Sequence, residues 1–454
     1  MIKIFKNSVW NIIGTFVVLL SGALITFAGP KVLSIEEFGM WRTFILYAGY
    51  AGVLHFGIVD GYLLNNVAKT DSALINASRT LPFLVIQQII VGILIIGASF
   101  LFNISDNYLY LIILIIIFSV IINIRSLIEN YFVVLKDFRL LNIVKILEKI
   151  IFICIIVIFI YYDEISYMSA ITIHTLSAFI VLLIMIVITK IHLSFSEFKS
   201  TNISNIKVGY KLLFSNSLII ILFFIDSVII NVYFSIKEFA IYSFALAIIM
   251  LVNQVSESLS QVFFPYLSTH YKGELRKVNL IIKKAIFVIW IVILQFTFLL
   301  YYIIERVFPE YSSSKSILII YFVGSLFSLI IRVIQNNTFK IYYMQKQFIK
   351  IEIIVLCIIC FLSIIGLRIS ASMISISIVI LCSRFIWYLL NELAINKSFK
   401  NNKIIISVFL IYSLVYISIT LLIDSYVWGS LIFFVISLPI YFLTLFKLKR
   451  RSFL

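Results

Sequence analysis

Apolar residues in this chain run for about twenty positions at a time, the length of helix that crosses the hydrocarbon core of a bilayer. They do so fourteen times, at 9–28, 40–60, 81–102, 108–124, 147–162, 167–188, 212–234, 239–261, 281–303, 316–336, 349–368, 371–390, 404–423 and 427–445. A membrane strand would alternate apolar and polar residues, and runs such as Leu111-Ile-Ile-Leu-Ile-Ile-Ile117 do not alternate. The expectation is an all-α polytopic membrane protein of about 14 transmembrane helices.

Composition closes off the other classes. The 454 residues are 63% hydrophobic and 12% charged, against about 25% charge in soluble domains. That excludes a soluble enzyme, a disordered chain and a disulfide scaffold. Cys357-Ile-Ile-Cys360 has redox or metal spacing, but it lies inside an apolar run with no polar neighbour, so packing is the expected role of all four cysteines. Lys3 and Lys6 precede the first apolar run without a clear cleavage site after it, which reads as a retained helix rather than a signal peptide.

The net charge of +16 would indicate nucleic acid in a soluble protein; its placement gives it another meaning here. An even number of spans puts both termini on one side. That side carries 30 of the 36 Lys and Arg, and the opposite loops carry 6. The positive-inside rule therefore places both termini in the cytoplasm, with the basic tail Lys447, Lys449, Arg450, Arg451 as an anchor on anionic lipid. The opposite loops are short (103–107, 161–166, 424–426) and leave no room between spans for a catalytic domain. Phosphate-binding loop, H-E-x-x-H and G-x-S-x-G patterns do not occur. No cofactor and no metal site is expected; a transporter is, with coupling to an H⁺ or Na⁺ gradient open.

Two internal echoes point to duplication. Ser34-Ile-Glu-Glu-Phe-Gly-Met-Trp41 returns as Ser235-Ile-Lys-Glu-Phe-Ala-Ile-Tyr242, 201 residues on, and Leu135-Lys-Asp-Phe138 returns more weakly as Gln345-Lys-Gln-Phe348, 210 residues on. Each pair joins equivalent spans of a six-helix block. A parallel repeat follows, because six is even. The expected organisation is an N-terminal lobe at 1–200, a C-terminal lobe at 201–400, and a helix pair with a basic tail at 401–454. The two pseudo-symmetric lobes are expected to surround a central cavity.

Polar residues recur at helical spacing inside the spans, where charge is expensive. The first span aligns Asn11, Thr15, Gly22 and Thr26. In the second, Arg42 and Asp60, 18 residues apart with Gly49 between them, share a face, about 27 Å apart. The eighth aligns Ser243, Met250, Asn253, Glu257 and Gln261; the tenth Tyr321, Ser325, Ser328, Arg332 and Gln335; the twelfth Ser377, Arg384 and Asn391. The seventh contributes Asp226, with Ser215 on its stripe. Interhelical hydrogen bonds and snorkelling at helix ends account for part of this pattern. A wet cavity accounts for its recurrence in both halves.

Lys6-Asn-Ser-Val-Trp10, Gly29-Pro-Lys-Val-Leu33, Glu37-Phe-Gly39, Gly57-Ile-Val-Asp60, Asp226, Ala240-Ile-Tyr242 and Phe264-Pro265, in this order, resemble Wzx-type polysaccharide flippases of the multidrug/oligosaccharidyl-lipid/polysaccharide (MOP) exporter superfamily. The chain departs from that pattern at Pro30-Lys31, where the family often carries Arg, and at Ser227, where Arg often follows the Asp. The resemblance implies alternating access. It also implies an undecaprenyl-diphosphate-linked oligosaccharide as substrate, for O-antigen, capsule or exopolysaccharide assembly. The implied setting is the bacterial cytoplasmic membrane, with membrane lipids, a polysaccharide polymerase and a chain-length regulator as partners and no nucleic acid. Arg42, Arg332, Arg384, Asn253 and Asn11 are the candidate substrate-binding residues, because a diphosphate needs cations and a glycan needs hydrogen bonds. Asp60, Asp226 and Glu257 are candidates for ion coupling or charge balance. A drug exporter of the same superfamily, a membrane polymerase and a structural scaffold are the competing classes.

Overall fold

The structure is a computed structural model. It describes the backbone of residues 2–67, 69–196, 198–268, 272–396 and 403–449, and the side chains of 14, 16–67, 69–105, 108–196, 200–254, 256–257, 260, 278–395 and 406–439. Sixteen α-helices follow in order: α1 Ile2–Val32, α2 Ile35–Ala48, α3 Ile58–Asn66, α4 Ala73–Leu101, α5 Asp106–Val134, α6 Phe138–Tyr161, α7 Tyr167–Thr189, α8 Phe198–Tyr233, α9 Ile236–Ser268, α10 Lys272–Val307, α11 Ser314–Ile330, α12 Asn336–Ile341, α13 Gln345–Ile369, α14 Met373–Asn396, α15 Lys403–Leu422 and α16 Tyr426–Lys449. No strand occurs among the described residues. Nine described helical spans are long and apolar enough to cross a membrane, ten if the bent pair α2–α3 counts as one. The protein is a multi-pass, all-α membrane protein.

The second span is not the continuous helix expected from its apolar run. α2 ends at Ala48, a tight 3₁₀ turn covers Ala51–His55, and α3 leaves at 56° to the first half. Phe56 (φ 48°) and Gly57 (φ 85°) are left-handed. A Cβ on Gly57 would lie 2.7 Å from the backbone nitrogen of Tyr210, and one on Gly61 would collide with the carbonyl of Asn205. α8 thus presses its backbone, at Gly209, directly on the start of α3. The carbonyls freed by the break are recaptured by side chains: Asn123 donates to Ala51 O at 3.0 Å, and Gln87 and Gln88 donate to Leu54 O at 3.2 and 2.9 Å. Unpaired backbone groups are intolerable at membrane depth, and these three amides remove them.

The chain forms two compact units, Met1–Asn231 and Val232–Leu454. In the first, the core gathers around His174, ringed at 5.3–5.9 Å by Phe44, Phe118 and Phe152, with Trp41 stacked on Phe152. In the second, α11 is buried along most of its length and packs on α9, α10 and α14. The last helix pair docks on α10. Gln295 donates to Ser430 O at 2.8 Å, and the Tyr416 hydroxyl lies 2.7 Å from Thr297 Oγ1 and 2.5 Å from the Tyr301 hydroxyl.

The first sequence echo has the same local structure in both copies. Ser34 Oγ accepts from Glu37 N at 3.3 Å while Glu37 Oε2 accepts from Ser34 N at 3.1 Å; Ser235 and Glu238 repeat this at 3.3 and 2.9 Å. Each is a capping box that starts a helix after a short turn. Phe38 and Phe239, and Trp41 and Tyr242, are all buried. The second echo is real in the backbone, but its register differs from the expected one. Lys136 (φ 57°) and Tyr343 (φ 56°) end their helices in the left-handed conformation, and Asp137 N→Phe132 O and Met344 N→Phe339 O are both 2.9 Å. The offset is therefore 207 residues rather than 210. The turn geometry repeats where the side chains do not.

The four cysteines do not fill the interior as expected; all are exposed on the outer faces of their helices.

Candidate functional site

Arg42 stands in the middle of α2, half-buried among apolar neighbours. Its Nε is buried without a hydrogen-bond partner, and no carboxylate among the described residues lies within 4 Å of it. The next turn carries a polar bridge: Asn231 donates to Thr43 Oγ1 at 2.9 Å and accepts from the Tyr47 hydroxyl at 3.0 Å. Asp60, beyond the break, does not share a straight face with Arg42, because the 56° bend separates the two halves of the span. Its Oδ2 is 3.9 Å from His55 Nε2. His55 Nδ1 accepts from Gly57 N at 3.1 Å, which fixes the ring against the turn. Asp226 in α8 is buried, accepts from Ser227 N at 2.8 Å, and interacts electrostatically with Tyr50 at the break. The side chain of Asn11 lies outside the described residues.

In the second unit the structure brings three sequence-predicted residues together. Arg332 Nη1 is 3.3 Å from Glu257 Oε2; the acid is 57% exposed and the arginine 18%. Ser260, one turn along α9, donates to Arg332 O at 3.1 Å. Arg384 is buried, with its guanidinium 4.9 Å above the Tyr321 ring, and its charge acts on Arg332. The Tyr321 hydroxyl is in turn 2.7 Å from that of Tyr242. Asn253 lies half-buried one turn before Glu257 on α9. Arg332 thus stands between the Glu257 carboxylate and the charge of Arg384. An arginine over a tyrosine face has part of its charge offset by the ring.

A π-helical turn at Ile331–Gln335 joins α11 to α12 and holds both Arg332 and Gln335. An extra residue in a helical turn re-aims the side chains around it, and such turns concentrate at functional sites. Gln335 donates to Glu392 Oε1 at 2.9 Å and to Tyr388 O at 3.1 Å, and accepts from Asn391 at 3.0 Å. Glu392 is also 2.5 Å from Lys283 Nζ. The Arg332 cluster thus sits one turn from a buried, charge-neutral network.

Helical spacing picks out Gln335 and Asn391 of that network but not Lys283 and Glu392, and it misses a second network altogether. Arg125 contacts Glu148 and lies 2.8 Å from Glu129; Lys149 is 3.2 Å from Glu148 and Lys145 3.8 Å from Glu129. Arg125, Glu129 and Lys145 fall between the predicted spans 108–124 and 147–162, while Glu148 and Lys149 fall inside the second of these. α5 in fact runs on to Val134 and α6 starts at Phe138, so opposite charges end on facing helices. A signal was available in the spacing: Arg125 and Glu129 are four apart, and so are Lys145 and Lys149.

A family model described as polysaccharide biosynthesis protein matches residues 4–271. No curated protein matches the chain by sequence. Among solved structures, the lipid II flippase MurJ in an inward closed conformation is 15% identical, with a TM-score of 0.71 over 99% of this chain and 100% of that one. An inward-facing multidrug resistance MATE family transporter of the MOP superfamily is 15% identical, with a TM-score of 0.64 over 85% and 95%. A MOP superfamily transporter from Pyrococcus furiosus, described as having a binding pocket of reverse polarity, is 16% identical, with a TM-score of 0.52 over 87% and 95%. The fold is that of the MOP superfamily, and the chain belongs to the polysaccharide biosynthesis protein family.

Proposed function

We propose that the protein is a flippase. It moves undecaprenyl-diphosphate-linked oligosaccharide units across the bacterial cytoplasmic membrane by alternating access, for assembly of a cell-surface polysaccharide. Both termini are cytoplasmic, and the repeat consists of lobes at 1–200 and 201–400, with 401–454 outside it. The observation that carries this reading is the meeting of two arginines, Arg332 and Arg384, with the exposed Glu257 on the spans of the second unit. Charge at membrane depth is retained where something of opposite sign uses it, and a diphosphate headgroup is such a partner. Arg42, whose Nε has no hydrogen-bond partner, is the candidate substrate-binding cation of the first unit. Asn253 and Asn11 supply amide hydrogen bonds to the glycan. Asp60, Asp226 and Glu257 balance charge or carry a coupling ion. The family, whose description names polysaccharide biosynthesis, supports the substrate class.

The likeness to a multidrug MATE transporter favours a drug exporter as the second reading. Its substrates, if cationic, would meet two guanidiniums here, which disfavours it. Glycan export measured in a deletion strain complemented with R42A, R332A, R384A and the corresponding Lys variants separates the two. Loss in Ala with partial return in Lys is expected, because Lys lacks the planar fork. Normal export in all three Ala variants at normal abundance refutes the assignment.

A further inference from the structure

Four carboxylates are buried among the described residues: Glu148, Asp226, Glu352 and Glu392. Three have partners. Glu148 contacts Arg125 and Lys149, Asp226 accepts from Ser227 N, and Glu392 holds Lys283 and Gln335. Glu352 is alone. It is 0% exposed, and neither carboxylate oxygen has a hydrogen-bond partner. It lies two turns into α13 on the stripe Phe348, Ile351, Val355, Ile359 and Ser363, which is the face that α13 buries.

Among the described residues, no cation forms an ion pair with Glu352. Gly366 of α13 packs against Ser375 and Val379 of the antiparallel α14. The nearest carboxylate-bearing network on α14 is that of Asn391 and Glu392 at its C-terminal end. The Glu392 carboxylate is already committed to Lys283. α12 contributes Phe339, whose ring lies 5.1 Å from that of Phe348 and tilted 44° to it, and its Lys340 is exposed. On α13 itself, Lys346 and Lys350 are exposed. No group of three His, Cys, Asp or Glu able to hold a metal ion occurs among the described residues. A lone ionised carboxylate in such a place has lost its water and gained nothing, whereas the neutral acid bears that loss far better.

We propose that Glu352 is a proton-binding site of the second unit. It is neutral in the state seen here and ionised in a state in which the α13–α14 seam admits water. The proton is taken from water on one side of the membrane and given to water on the other. Because the two states bind the proton with different affinity, a pH gradient shifts their populations. The coupling part of this proposal rests on the transport reading above; the protonation part does not.

The full-length protein in lipid, with and without Glu352→Gln, tests both parts. Infrared difference spectra at neutral pH are expected to show a protonated carboxyl band in the wild type that E352Q lacks. A wild type without that band, or a band unchanged in E352Q, overturns the proposal whatever the protein transports. In proteoliposomes loaded with a fluorescent undecaprenyl-diphosphate glycan, an imposed pH gradient is expected to raise wild-type flipping several-fold and to leave E352Q unchanged. Equal stimulation of both overturns the coupling role. Absence of wild-type flipping, with the band present, overturns the transport reading and leaves the protonated acid standing. If E352Q does not fold, Glu352→Met, apolar and of similar length, gives the same spectroscopic comparison.

Discussion

Lys283 Nζ lies 2.5 Å from Glu392 Oε1, and both side chains are buried, so the pair ties α10 to α14 inside the apolar core of the second unit. Removing one partner of a buried pair leaves an uncompensated charge, at a cost of about 3–5 kcal/mol. Lys283→Met is therefore expected to be strongly destabilising. Lys283→Met with Glu392→Gln should recover most of the loss, since Gln335 can still bond an amide at that site. Thermal unfolding of the purified protein in detergent reads this directly. A double variant no more stable than K283M would show that the pair acts otherwise.

The two capping boxes make a matched pair of tests. Ser34→Ala and Ser235→Ala each remove the acceptor of a helix-starting bond, worth about 1 kcal/mol. The sites share no partner, so the double variant should lose the sum of the two. Unequal losses, with one near zero, would mean that the echo is preserved in geometry but not in energetics.

Close backbone packing sets a sharper prediction. A Cβ on Gly61 would sit 1.8 Å from Asn205 O, while one on Gly52 or Gly97 would meet nothing within 4 Å. Gly61→Ala must force α3 away from α8, costing about 1–3 kcal/mol or more. Gly52→Ala and Gly97→Ala should be neutral or slightly stabilising. If G61A folds and melts as the wild type does, the α3–α8 crossing is looser than described.

These tests bear on how much of the protein could be read from residues alone. The apolar runs located the spans because hydrocarbon imposes length and composition together. The break at Gly49–Gly57 was invisible in that signal: glycines and aromatics keep the run apolar, and only the approach of α8 forces φ above zero at Phe56 and Gly57. Arg332 and Glu257 were found separately by helical spacing, and their contact was not, since spacing says nothing of which helices face each other. The π-helical turn at Ile331–Gln335 left no mark in the periodicity. Glu352 was missed for the opposite reason. A single acid in an apolar stripe, near the exposed Lys346 and Lys350, looks like the edge of a connection until its burial is known.

Topology follows from charge and is open to a direct check. With the basic residues concentrated on one side, reporters inserted at Lys190 and Tyr343, both left-handed turns between helices, should read cytoplasmic. A reporter at Asp163, also in such a turn, should read external. Like readings at Lys190 and Asp163 would break the alternation on which the cytoplasmic placement of the termini depends.

The exposed acid beside Arg332 gives the last prediction. Glu257 is held at 3.3 Å by Arg332 and is more than half exposed, so it competes with any anion for the same guanidinium. An exposed pair of this kind is worth about 0.2–1 kcal/mol, a factor of roughly 1.4–5 in an equilibrium constant. Glu257→Gln keeps the shape and removes the competing charge. Binding of an undecaprenyl-diphosphate glycan to the purified protein should then tighten by roughly that factor, while release, and with it glycan export, slows. Arg332→Ala should do the reverse, and the double variant should bind as R332A does, because the acid acts only through the arginine. If E257Q weakens binding, Glu257 contacts the ligand itself, through glycan hydroxyls, and the assignment of charge balance to it is wrong.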